Sequence, residues 1–159
     1  MIQLTVDKLL PGEDLLLENG SAVFSIENNT LKIEVQFPAA YPPGSYSGEE
    51  SKVPKDYYFK SSISTLELEL PVEDEAIFGR EIFIDSEDED NEELTNFHIA
   101  HTHYPTFDDR ITLRKEKDKY ILNWTGLLPD IKNSRYEIYM NNMFPFRLQG
   151  ECRTLPLTK

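Results

Sequence analysis

Thr30-Leu31-Lys32-Ile33-Glu34-Val35-Gln36-Phe37 alternates strictly between apolar and polar side chains. A period of two is the geometry of a pleated strand, so Leu31, Ile33, Val35 and Phe37 are expected to face a core. Upstream, Ala22-Val23-Phe24-Ser25-Ile26 is joined to this run by Glu27-Asn28-Asn29, residues that tolerate the positive φ angles of a tight hairpin. Asn19-Gly20, after Leu15-Leu16-Leu17, reads as a second turn. The first forty residues therefore read as an antiparallel meander.

Working outward, Ser64 to Leu70 alternates again, with Leu66, Leu68 and Leu70 inward and Glu67 and Glu69 outward. Ile77 to Ile84 reads as a strand with Gly79 marking a bulge. Leu94 to Tyr104 reads as one strand that places Phe97, Ile99, His101 and His103 on one face and His98 on the other. Arg110 to Arg114 and Tyr120 to Thr125 predict a hairpin around Lys115 to Lys119, with Leu122 and Trp124 inward. Arg135 to Met140, carrying Tyr136 and Ile138 inward, and Phe144 to Leu148 complete the set; Pro145 argues for an edge position. No capped 3.6-residue apolar stripe is visible, so no helix is expected. The fold class predicted is all-β, an antiparallel sandwich or partly open barrel of about nine or ten short strands.

A chain of 159 residues fits one domain, 1–159, interrupted by a long Pro- and Tyr-rich loop at 38–60 and an acidic loop at 85–93. At 39% hydrophobic and 11% aromatic residues it is too apolar to be disordered. The start, Met1 to Asp7, alternates rather than forming an export signal, and no apolar run is long enough to cross a bilayer. With Cys152 the single thiol, no internal disulfide forms; a cytoplasmic location is expected.

Charge is the most uneven property of the chain. Of a net −13, the window from Leu66 to Glu93 carries −12, with Arg80 its one base. Its acids include Glu73, Asp74, Glu75, Asp85, Glu87, Asp88, Glu89, Asp90, Glu92 and Glu93. A localised negative lobe disfavours nucleic acid, whose binding needs clustered Lys and Arg, and favours a basic protein partner. Tyr41 and Tyr46 in the long loop are expected to add buried anchors to that contact.

Motifs for chemistry are sparse. His101 and His103, two apart on a strand, could ligate one metal ion. The His-x-His is similar to the cupin motif, but the glycines, the Glu and the downstream His of that family are missing. The acidic run lacks the glycine and spacing of a calcium loop. No nucleophile elbow or phosphate-cradling glycine loop occurs, so neither a catalytic residue nor a cofactor is expected.

Lys119-Tyr120-Ile121-Leu122-Asn123-Trp124-Thr125-Gly126 and Tyr136-Glu137-Ile138-Tyr139 resemble sheet segments of small bacterial toxin immunity proteins. The resemblance implies a non-enzymatic protein that blocks a basic partner such as a nuclease-type toxin domain. Two other expectations stand beside it: a metal-dependent β-barrel enzyme using His101 and His103, and a carbohydrate- or calcium-binding sandwich that stacks ligands on Tyr41, Tyr46, Tyr57, Tyr58 or Trp124.

Overall fold

The computed structural model describes residues 1–10, 12–41, 53–72, 77–85, 94–99, 102–131 and 142–154. They form an all-β fold: β1 (Ile2–Leu10), β2 (Glu13–Glu27), β3 (Thr30–Phe37), β4 (Ser64–Pro71), β5 (Glu81–Phe83), β6 (Thr95–Ile99), β7 (Thr102–Tyr104), β8 (Phe107–Glu116), β9 (Lys119–Pro129) and β10 (Met143–Thr154). One helical turn, α1 (Tyr57–Lys60), sits in the expected loop, where no helix was expected; four residues are too few to show an apolar stripe. The strands make one open sheet in the order β5-β8-β9-β10-β1-β2-β3-β4-β6-β7. Neighbours run antiparallel, except where β10 passes the start of β1 and pairs in parallel with β2 from Cys152↔Ala22 to Thr154↔Phe24.

The meander half follows the alternation. Asn28 and Asn29 both take positive φ, 52° and 59°, the two-residue hairpin geometry that matches strand twist. Leu31, Ile33, Val35 and Phe37 pair with Leu70, Leu68, Leu66 and Ser64, and the four β3 side chains are at most 1% exposed. Leu66, Leu68, Leu122 and Trp124 are buried with them in one core cluster. Tyr136 and Ile138, with the whole 135–140 run, lie outside the described residues.

Asn19-Gly20 is not a hairpin turn. Strand β2 continues through it, and the pairing shifts from Leu4↔Leu17 to Ile2↔Gly20, one residue extra on β2. This bulge, with Asn19 at φ 63°, moves burial from odd positions, Leu15 and Leu17, to even ones, Ala22 and Phe24. Gly20 is needed because a Cβ there would lie 2.6 Å from the Phe37 ring.

Three other expectations change. Ile77 to Arg80 is a turn, with Gly79 at φ 81°, and only Glu81–Phe83 pairs as a strand. Residues 94–104 fold into two short strands rather than one. Strand β10 runs through the middle of the sheet, between β9 and β1, not at an edge. Pro145 is tolerated there because the β1 ladder stops at Val6↔Phe146, leaving a strand on one side only.

The sheet curls until its two ends meet. Strand β7 is the last strand at one end and β8 is next to last at the other, yet only Pro105 and Thr106 separate them. Three Cα steps span at most about 11 Å. The ends therefore face each other across a seam closed by side chains instead of a strand ladder.

Candidate functional site

On the outer face, the registers of β2, β3, β4 and β6 set side chains in rows. Val23, Glu34, Glu67 and Asn96 form one row, and Ser25, Lys32 and Glu69 the next. A groove of about 310 Å³ runs over them, with Leu94 at its end. Lys32 Nζ lies 3.9 Å from Glu69 Oε1, so that acid has a cation. Glu34 and Glu67 stand directly opposite each other, and no hydrogen bond or ion pair joins either to a described residue. Like charges placed directly across an antiparallel pair repel. The groove is lined by three carboxylates, Glu34, Glu67 and Glu69, and one cation, Lys32.

Beside this face the β6–β7 hairpin brings His98 and His103 together. They are cross-strand partners, their rings stack with centroids 4.4 Å apart, and Asn96 Nδ2 is 2.9 Å from His103 Nδ1. The expected pairing of His103 with His101 and its separation from His98 assumed a single strand; the break into two strands puts His98 opposite His103 instead. His101 lies outside the described residues. Among the described residues no group of three or more His, Cys, Asp or Glu is placed to hold a metal ion.

The remaining expected contact residues divide. Asp85 is exposed just after β5. Tyr41 is half-buried at the base of the long loop, where its hydroxyl donates to Asp56 Oδ1 at 2.9 Å and its ring lies 5.8 Å from that of Tyr57. Lys60 Nζ reaches Asp56 Oδ2 at 2.8 Å, and the Ala40 N–H donates to the Lys60 carbonyl. Burial alone would raise the Asp56 carboxyl, but the bonds from Lys60 and Tyr41 outweigh it and hold it below the usual value of 3.8. Tyr41 thus pins the loop. Glu73, Asp74, Glu75, Glu87, Asp88, Glu89, Asp90, Glu92, Glu93 and Tyr46 lie outside the described residues.

Two groups gain their meaning only from the fold. Glu34 occupies an outward position of the opening strand, and its register against Glu67 is what gives it meaning. The second is buried at the seam. Trp124 Nε1 and Thr106 Oγ1 both donate to Asp109 Oδ1 at 2.7 Å, and Thr106 Oγ1 is also 2.7 Å from Thr95 Oγ1 on β6. Asp109 is 1% exposed, and its Oδ2 has no hydrogen-bond partner among the described residues. Burial pushes this carboxyl above the usual 3.8, the bonds from Trp124 and Thr106 pull it down, and neighbouring Asp108 adds to the rise. The Cys152 thiol is also raised by burial, to about 12, and stays protonated near neutrality.

Among the described residues, no helix is long and apolar enough to cross a membrane. Comparison of the chain with known protein families, with curated proteins and with solved structures finds no match.

Proposed function

We propose that this chain is a non-enzymatic binding protein that blocks a basic protein partner, as an immunity protein neutralises a nuclease-type toxin, and that the groove over β2, β3, β4 and β6 receives a Lys or Arg of that partner. The observation that carries the reading is the opposed pair Glu34 and Glu67. Within the free domain this pair is a small liability, since directly opposed like charges cost a few tenths of a kcal/mol or more. An incoming cation between them converts repulsion into two favourable contacts. Glu67 and Glu69 also belong to the window that holds −12 of the net charge, so the groove lies at the start of the strongest negative stretch of the chain. Such a field accelerates association with a basic surface and is screened beyond about 8 Å at physiological ionic strength.

Co-expression tests it. The native chain, and separately its E34Q/E67Q form, is produced in bacteria alongside each basic nuclease-type toxin domain encoded next to its gene. Growth rescued by the native chain and lost with the double variant supports the reading. Equal rescue by both moves the contact elsewhere, and failure to rescue against every such toxin removes the immunity reading.

A further inference from the structure

The buried chain Thr95–Thr106–Asp109–Trp124 connects elements from both ends of the sheet, and we propose that it is a proton-controlled latch: with Asp109 protonated the seam is shut, and on loss of that proton β6 and β8 part.

The geometry leads here in three steps. Strand pairing does not close the seam, because β6 and β8 share no ladder. Beside the short connection through β7, what joins them is side-chain chemistry: the Thr95 and Thr106 hydroxyls, the Thr106 N–H donating to Thr95 Oγ1 at 3.3 Å, and the Thr106 hydroxyl donating a hydrogen bond to Asp109 Oδ1. A bulge at Asp108, φ 50°, shifts the pairing of β8 with β9 and leaves Asp109 inward, in phase with Ile111 and Leu113.

The surroundings of Asp109 make its proton decisive. From β9 it is faced by the Trp124 indole and by Gly126, where a Cβ would stand 3.0 Å from Oδ1; Phe146 of β10 closes on the same glycine. From β6 comes Thr95, through Thr106, and from the segment after β5 the Ile84 N–H, which donates to the Asp109 main-chain oxygen at 2.9 Å. None of these side chains titrates. The charged groups nearby are its neighbours Asp108 and Arg110, the latter bound to Glu81 at 3.2 Å and stacked on Phe83, and Asp85 beyond Ile84. No described cation forms an ion pair with Asp109. A neutral carboxyl is tolerable in such a site. A carboxylate with one oxygen lacking any donor among the described residues is not, and admitting water to Oδ2 by parting the seam relieves it.

Trp124 is the chain's single tryptophan, so its indole N–H is a unique reporter of Asp109. The experiment is an NMR pH titration of the whole chain with amide exchange measured at each step. The indole resonance is expected to titrate with a midpoint above the ordinary aspartate range. Through that midpoint, protection of β6 and of the start of β8 falls by about tenfold more than that of β2 and β3. Asp109→Asn keeps the seam protected at every pH. Thr106→Val, which removes one donor to Oδ1, moves the indole midpoint up and the exchange transition with it. Seam protection that stays level across the indole midpoint, that falls equally in Asp109→Asn, or that does not follow the midpoint in Thr106→Val overturns the proposal.

Discussion

Two aspartates in this molecule have nearly the same partners and opposite behaviour. Asp56, at the base of the long loop, accepts from the Tyr41 hydroxyl; Asp109, at the seam, accepts from the Trp124 indole. Each has a second donor, Lys60 for Asp56 and Thr106 for Asp109. Asp56 is held below the usual carboxylate value and Asp109 above it. The difference is a cation and exposure: Asp56 is part-exposed and has an ammonium on its second oxygen, while the second oxygen of Asp109 is buried with no hydrogen-bond partner among the described residues. Hydrogen bonds alone do not decide the charge state of a carboxyl: at Asp56 they and the ammonium outweigh burial, and at Asp109 burial outweighs them.

The largest effect is expected from Asp109→Ala. It strands the Trp124 N–H and the Thr106 hydroxyl in the core, and we expect a loss of about 3 kcal/mol by urea denaturation. Tyr41→Phe, which removes one of several bonds to a part-exposed carboxylate, should cost about 1 kcal/mol in the same assay. Lys60→Met should cost about 0.5 kcal/mol, the scale of an i,i+4 pair, and should let Asp56 rise.

The two sites also impose opposite pH signatures. The Asp56 carboxyl is lowered on folding, so its contribution is present above the unfolded value near 4 and is lost as pH falls through the folded value. The Asp109 carboxyl is raised, so its contribution is full below the unfolded value and is lost as pH rises toward the folded one. Subtracting the stability curve of Lys60→Met from that of the native chain should therefore give a difference that grows with pH between about 3 and 5. Subtracting that of Asp109→Asn should give one that shrinks as pH rises above about 4. Slopes of the same sign in both subtractions would erase the contrast.

The same two regions show how far the sequence could be read. Strand β3 and its partners were legible because alternation and an Asn-Asn turn agree, and each inward Leu, Ile or Val meets another across the ladder. The bulge at Asn19 was also written in the chain, as the change from Leu15 and Leu17 to Ala22 and Phe24, but a glycine after an asparagine imitates a turn. At the two ends of the sheet, β5, β6 and β7 are three to five residues long, too short for a period to declare itself, and the His98 pairing was lost with it. Asp109 was hidden for a different reason. Its position two and four residues before Ile111 and Leu113 placed it inward, yet an aspartate beside another aspartate and an arginine looks like surface. The Glu34–Glu67 opposition needed a register, which no single strand carries.

Strand β1 holds a central place in the sheet, with β2 on one side and β10 on the other, and Gln3 pairs with Gln149. The join is tight: Gly150 takes φ 148°, and a Cβ on it would run into the Met1 carbonyl and stand 2.9 Å from Ile2 Cα. On the ribosome this arrangement imposes a wait. The β1–β2 hairpin is made well before β10, the second partner of β1, which follows only after more than a hundred further residues, on the order of ten seconds later at ordinary synthesis rates. Throughout that interval the backbone of β1 offers an unpaired edge flanked by Leu4 and Val6, which any extended segment can join. The edge of β1 stays open until β10 arrives, so shielding β1 over that interval guards the chain when it is most exposed to wrong pairing.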